Sequence, residues 1–76
     1  MQIFVRYIDG RIGTFEVNPT DRISDLKKLI EDRFGLATCE QRLVHWAWAL
    51  EDDKTLTQCG VQKESTLSLV PVMRGD

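Results

Sequence analysis

The 76-residue chain lacks several features that mark large classes of protein. No apolar run approaches the roughly 20 residues needed to span a membrane, and we expect no secretory leader. Only two cysteines are present, Cys39 and Cys59, and they do not have CxxC spacing. They could pair once, but free thiols in a reducing compartment are the simpler interpretation. We therefore expect a cytoplasmic or nuclear protein, or one found in both.

The chain also lacks an excess of charge of either sign. Ten basic and twelve acidic side chains are interspersed, for a net charge of -2. This balance gives no basic stripe for nucleic acid or an anionic membrane, so we expect neither partner. His45 has no carboxylate or thiol at metal-site or nucleophile spacing, and Glu51-Asp52-Asp53 is too short for a calcium loop. We expect no metal, no cofactor and no enzymatic activity.

What the chain does have is a clear β-hairpin pattern at its start. Ile3 and Val5 alternate with outward positions, the turn pair Asp9-Gly10 follows, and the alternation resumes around Phe15. Gly13 falls on the inward side of the second strand, where a strand normally has a side chain. We expect this glycine to make room for a large ring such as that of Phe15.

A helix is predicted next. Apolar residues recur at helical spacing: Ile23, Leu26, Leu29 and Ile30. The pattern predicts a helix from about residue 23 to residue 34. We expect Asp21 to accept a hydrogen bond from a free amide at the helix start, and Gly35 to cap the helix end.

The second half of the chain predicts further strands. Residues 41–48 are interpreted as a strand ending in a turn, Leu50 as part of a short strand, and the alternation after Thr66 as a last strand that weakens at Pro71. The order ββαββ plus a short return strand predicts an α+β fold. We expect a single domain over residues 1–76, with a mixed four- to five-stranded sheet packed on one helix.

Two long stretches and the tail resemble ubiquitin in one register: Met1-Gln2-Ile3-Phe4-Val5, Gln62-Lys63-Glu64-Ser65-Thr66-Leu67 and Arg74-Gly75. Residues 13–17, 50–52 and 55–61 are also similar to the Fau-type ubiquitin-like module. The resemblance implies the β-grasp fold and a partly buried ion pair between Lys27 and Asp52. It implies a core made of Ile3, Val5, Val17, Ile23, Leu26, Ile30, Leu43, Leu50, Leu56, Val61, Leu67 and Leu69.

Departures from the family pattern bear on function. Modifiers of this family end in Gly-Gly, whereas Arg74-Gly75 is followed here by Asp76, so we expect no conjugation through this terminus. Positions of chain-building lysines carry Arg6, Arg11, Leu29, Arg33 and Trp48 instead. Lys27 is expected to be buried, and Lys63 remains the candidate linkage lysine.

The resemblance also implies a protein-binding face formed by Ile8, Val44, Ser68 and Val70, with Arg42 at its rim. An exposed apolar cluster commonly marks a binding site, although scattered exposed aliphatic side chains are also normal. We expect this face to bind ubiquitin-receptor-like protein domains weakly and reversibly.

Two tryptophans stand beside that face. Trp46 and Trp48 flank Ala47 in a turn where the family has glycine, and losing the glycine strains a turn that favours positive φ. Tryptophan is enriched at binding hot spots, so we expect the indoles to extend the surface or to support weak self-association of a monomeric chain. The alternative is that one indole folds back over His45 or Val44.

The sequence as a whole predicts a non-conjugated protein-recognition module. The alternatives are a modifier conjugated to target lysines and an engineered or redesigned ubiquitin variant. We expect His45 to be a packing residue, Cys59 to pack as a small apolar group, and Cys39 to lie exposed.

Overall fold

The computed structural model describes residues 1–72. Its elements are β1 (Gln2–Tyr7), β2 (Ile12–Glu16), α1 (Ile23–Phe34), a short 3-10 helix (Thr38–Glu40), β3 (Gln41–His45), β4 (Trp48–Ala49) and β5 (Thr66–Pro71). Within these residues the strands form one sheet in the order β2-β1-β5-β3-β4. β1 and β5 are parallel, and the other neighbouring strands are antiparallel. This mixed sheet with one helix is the predicted β-grasp arrangement.

The inner face of the sheet and the apolar stripe of α1 enclose the core. Buried apolar residues are Ile3, Val5, Phe15, Val17, Ile23, Leu26, Ile30, Leu43, Leu56, Val61, Leu67 and Leu69. The predicted core is confirmed except at Leu50, which is half-buried against it, and Phe15 is added to it. Leu29 does not widen the buried stripe of the helix, because its side chain is 41% exposed.

The predicted helix bounds are confirmed, but the predicted role of Asp21 is wrong. The Asp21 carboxylate accepts a hydrogen bond from the Asn18 amide (2.9 Å), upstream of the helix. The Asp25 carboxylate instead accepts one from the amide of Arg22, the residue that caps α1 (3.1 Å). At the other end Gly35 adopts φ 76°, and its amide donates to the Glu31 carbonyl as expected of a C-terminal cap.

Carbonyl groups of a distant loop satisfy the first amides of α1. Ile23 donates to the Lys54 carbonyl (2.9 Å), and Ser24 donates to the Asp52 carbonyl (3.1 Å). The Asp52 carboxylate also lies 2.6 Å from the buried Lys27 ammonium, which confirms the predicted ion pair. These contacts hold the loop that follows β4 against the helix.

Gly13 has the role predicted for it. A Cβ at this position would lie 3.0 Å from the ring of Phe15 and 3.1 Å from the ring of Phe34. The contact with Phe34 was not predicted from the sequence. The centroid of the Phe34 ring also lies 5.9 Å from that of the Tyr7 ring. The missing side chain therefore lets aromatic rings from the hairpin and the helix end pack together.

The bounds predicted for the third and fourth strands are wrong by several residues. β3 ends at His45 rather than continuing to Trp48, because Trp46 and Ala47 form a two-residue turn. Trp48 then pairs with His45 in β4. Leu50 follows β4 rather than lying on it, and its amide donates to the Leu43 carbonyl (2.9 Å).

Candidate protein-binding site

The register of β3 and β5 brings most of the predicted binding residues to one face. Val44 pairs with Ser68, and Arg42 pairs with Val70. Directly opposed residues point to the same side of a sheet, and alternate residues do so along a strand. The buried residues Leu43 and Leu69 point to the core, so these four side chains lie on the opposite, outer side. Ile8 follows β1, whose last residue pairs with Leu69.

We call the residues Ile8, Arg42, Val44, Ser68 and Val70 the outer-face patch. Ile8 is 66% exposed and Val70 is 38% exposed, although both are large apolar side chains. Val44 is half-buried, and Arg42 and Ser68 are exposed. The predicted exposure is therefore confirmed except at Val44, while the predicted binding role stays a prediction.

Further residues lie on the outer side and were missed as binding candidates, and three of them adjoin the outer-face patch. Arg6 pairs with Ser68 on one side and with Ile12 on the other, and Ala49 pairs with Val44. Ile12 is 56% exposed. The period-two alternation could have found Arg6, which lies two residues before Ile8, whereas only the strand register places Ile12 and Ala49 on that side.

The two indoles lie on a different part of the surface. Trp48 is paired with the inward-facing His45, whereas Ala49 is the residue that pairs with Val44. The Trp46 ring lies 5.8 Å from the His45 ring, measured between centroids, yet Trp46 remains 82% exposed and Trp48 75% exposed. The structure thus places both indoles on the His45 side of the hairpin. The alternative in which one indole folds back over His45 is met only in part, because the Trp46 ring lies near His45 but stays exposed.

Each indole borders its own groove. Trp46 lines one of about 550 Å³ with His45, Gly60, Gln62, Glu64, Ser65 and Thr66. Trp48 lines a smaller one of about 300 Å³ with Ala49, Leu50, Glu51, Lys54, Gln58 and Cys59. Neither groove includes a residue of the outer-face patch.

The hairpin turn that carries Trp46 has an unfavourable backbone. Trp46 has φ 55° and Ala47 has φ 70°, values in the left-handed region that glycine adopts most easily. A two-residue turn between antiparallel strands needs positive φ at both positions. The predicted strain is confirmed, and it affects both turn residues rather than one.

The remaining candidates show no reactive arrangement. His45 is buried, with Nδ1 3.4 Å from the Cys59 carbonyl oxygen, as expected of a packing histidine. Burial raises the pKa of the half-buried Cys59 thiol, while Cys39 is exposed. Across residues 1–72, no three histidine, cysteine or acidic side chains cluster to hold a metal ion, and no helix is long and apolar enough to cross a bilayer.

A candidate linkage lysine and a C-terminal tail were also named from the sequence. Lys63 is exposed in the loop before β5. The tail residues Arg74, Gly75 and Asp76 lie outside the described residues.

The fold and the apolar outer side define a small β-grasp module. The sequence profile of the Ubiquitin family matches residues 3–73, and the chain belongs to this family. The family consists of modifiers and binding modules, so the domain is not an enzyme.

Relatives fall into two groups by length. The chain is 37% identical over 75 residues to "2'-5'-oligoadenylate synthase-like protein 1" of Mus musculus, covering 99% of this chain but 15% of that protein. It is 31% identical to "Ubiquitin-like protein NEDD8" of Dictyostelium discoideum, over 99% of this chain and 97% of the relative. It is 29% identical to "Ubiquitin-like protein 1" of Schizosaccharomyces pombe, of which it covers 96%.

Proposed function

We propose that the domain binds partner proteins non-covalently through the outer-face patch. The observation that carries this proposal is the exposure of Ile8 and Val70 beside Val44, on the side of the sheet opposite the core. Burial in the core does not account for these apolar side chains. An exposed apolar group rimmed by polar residues is the surface expected of a docking site.

The charges around the patch indicate the chemistry of the partner. Arg6 and Arg42 flank Ser68 and Val70 through the strand register. Neither guanidinium takes part in an ion pair within residues 1–72. A partner helix with an apolar stripe and a flanking carboxylate would match this surface, as in a ubiquitin-receptor-like domain. Because the patch is shallow, we expect weak and reversible binding.

A conjugated modifier is the second candidate function. It is supported by the relative named NEDD8, which this chain matches over nearly its whole length. Conjugation requires adenylation of the terminal carboxylate and its transfer to a thiol of an activating enzyme. An ATP-dependent thioester between this chain and such an enzyme would support the modifier, and its absence would favour the non-covalent module.

The match to the longer relative favours a module that also works within a larger chain, because this sequence corresponds to 15% of that protein. Within a larger chain, the outer-face patch would bring a partner protein close to the other domains of that chain.

The proposal is tested by measuring the affinity of variants for a ubiquitin-receptor helix by titration. Val44→Ala and Val70→Ala should each weaken binding by about fivefold or more, which corresponds to about 1 kcal/mol, a loss that most interface residues do not show. Thr14→Ala is the matched control, since Thr14 is exposed on the edge strand β2. Equal affinities for all three variants, with the fold intact, would contradict the proposal.

A further inference from the structure

A second surface carries its own signs of ligand binding. The groove beside Trp46 is lined by His45, Trp46, Gly60, Gln62, Glu64, Ser65 and Thr66, and it holds about 550 Å³. That volume lies within the usual range of ligand pockets. The only acidic side chain among these residues is Glu64, and no lysine or arginine lines the groove.

The backbone at this groove is strained on both sides. Within residues 1–72, the non-glycine residues with positive φ are Trp46 (55°), Ala47 (70°) and Glu64 (66°). Two of them line the groove, and the third is next to Trp46 in the turn. Left-handed backbone at non-glycine residues tends to persist at ligand-binding positions, where the geometry itself is useful.

Both the indole and the carboxylate are available to a ligand. Trp46 is 82% exposed. The Glu64 carboxylate accepts no hydrogen bond and joins no ion pair in the described part of the chain. Its backbone is fixed, because the Glu64 amide donates to the Gln2 carbonyl (2.6 Å) and the Gln62 amide donates to Ser65 Oγ (2.9 Å). The carboxylate is therefore presented from an ordered loop.

A groove that is lined by an exposed indole and an unpaired carboxylate is complementary to a cation. Tryptophan provides the strongest cation–π face among the aromatic side chains. A guanidinium is planar, can stack on the indole and can donate two parallel hydrogen bonds to a carboxylate. We propose that the groove lined by Trp46 and Glu64 binds an arginine side chain of a partner protein.

This site is separate from the outer-face patch, so the two proposals can fail independently. The patch carries Arg6 and Arg42 and suits an acidic partner, whereas this groove carries Glu64 and suits a basic one. Trp48 serves as an internal control, because its groove also has an acidic side chain, Glu51, but contains Lys54 as well, which disfavours a second cation.

The test is an NMR titration at low salt with the capped peptide Gly-Gly-Arg-Gly-Gly, following both indole N–H signals and the backbone amides. The same peptide with citrulline in place of arginine is the uncharged control. We expect saturable shifts at Trp46, Gln62 and Glu64 with the arginine peptide, and at most small, unsaturated shifts with the citrulline peptide. Because surface ion pairs are weak and screened by salt, the dissociation constant should be about millimolar.

Two variants and a control sharpen the result. Trp46→Ala should abolish saturation, and Glu64→Gln should weaken binding by about threefold, while Trp48→Ala should leave it unchanged. Equal shifts with the citrulline peptide, no saturable shift, or equal losses for the two tryptophan variants would overturn the proposal. Shifts of the Trp46 indole on raising the protein concentration without peptide would also overturn it, in favour of a second copy of the chain.

Discussion

The two sides of the sheet differ sharply although the same strands build both. On β3 and β5, Leu43 and Leu69 are fully buried, whereas Val70 is 38% exposed one residue away. The inner residues pack on α1 and hold the fold together. The outer residues contribute little to that core, so burial does not explain their apolar character. One strand thus carries stability on its inner residues and the proposed recognition surface on its outer ones.

The two hairpin turns give a second contrast. The first turn has Gly10 at φ 95°, and the Asp9 carboxylate accepts a hydrogen bond from the Arg11 amide (2.9 Å). That hydrogen bond, with the nearby guanidinium, lowers the pKa of Asp9. In the second turn the positions with positive φ are Trp46 and Ala47, and neither is a glycine. The first turn is suited to folding, while the second is strained and presents an exposed indole.

The largest effect should come from breaking the inner side of the sheet. Leu69→Ala removes a fully buried side chain and should lower the free energy of unfolding by about 2–5 kcal/mol. Val70→Ala, its neighbour on the outer side, should cost less than about 1 kcal/mol. Urea unfolding of both variants measures the difference. Similar losses in the free energy of unfolding for the two variants would mean that the outer side also stabilises the fold.

A smaller loss in the free energy of unfolding is expected from a substitution at Gly13, because the inner side of the sheet has no room there for a methyl group. Gly13→Ala places a Cβ 3.0 Å from the Phe15 ring, and overpacking of this kind costs about 1–3 kcal/mol. Urea unfolding should show this loss, whereas Thr14→Ala on the exposed side should show little change. A neutral Gly13→Ala would mean that the rings of Phe15 and Phe34 move aside freely.

Relief of the strained turn should stabilise the domain. Ala47→Gly replaces a residue at φ 70° by one that tolerates this backbone, and should raise the free energy of unfolding by about 1 kcal/mol. Thermal unfolding measures the gain, and Ala49→Gly in β4 is the control that should lose stability instead. Destabilisation by Ala47→Gly would show that the alanine methyl group makes a contact that outweighs the strain.

The smallest expected effect concerns the two thiols and leaves the fold intact. Cys39 is exposed, whereas Cys59 is half-buried with a pKa raised by burial, so less of its reactive thiolate forms at a given pH. Brief treatment with iodoacetamide at pH 8 should therefore modify Cys39 first, as read by peptide mass spectrometry. Faster modification of Cys59 would show that the groove that Cys59 shares with Trp48 opens readily.

Much of this fold follows from the sequence because its patterns are regular. The alternation around Ile3 and the helical spacing after Ile23 agree with the observed burial, except at the exposed Leu29. The cap at the start of α1 was assigned to the wrong acid, since Asp21 and Asp25 lie within four residues of each other. Spacing alone does not show which carboxylate turns back towards which amide.

The placement of the indoles depended on information that the sequence does not hold. Whether Trp48 opposes His45 or Val44 is fixed by a two-residue turn, and a shift of one residue would move it to the other side of the sheet. The outer-face residues Ile12 and Ala49 become apparent only once that register is known. The groove at Glu64 brings together residues far apart in the chain, and no local pattern indicates it.

The most direct test of the account is a chemical-shift map of the isotope-labelled domain titrated with a ubiquitin-receptor helix. We predict saturable shifts at Ile8, Val44, Ser68 and Val70, with the amides of α1 unchanged. The absence of any shift in a folded domain, or shifts confined to Trp46 and Glu64, would contradict the claim that the outer side of the sheet is the recognition surface.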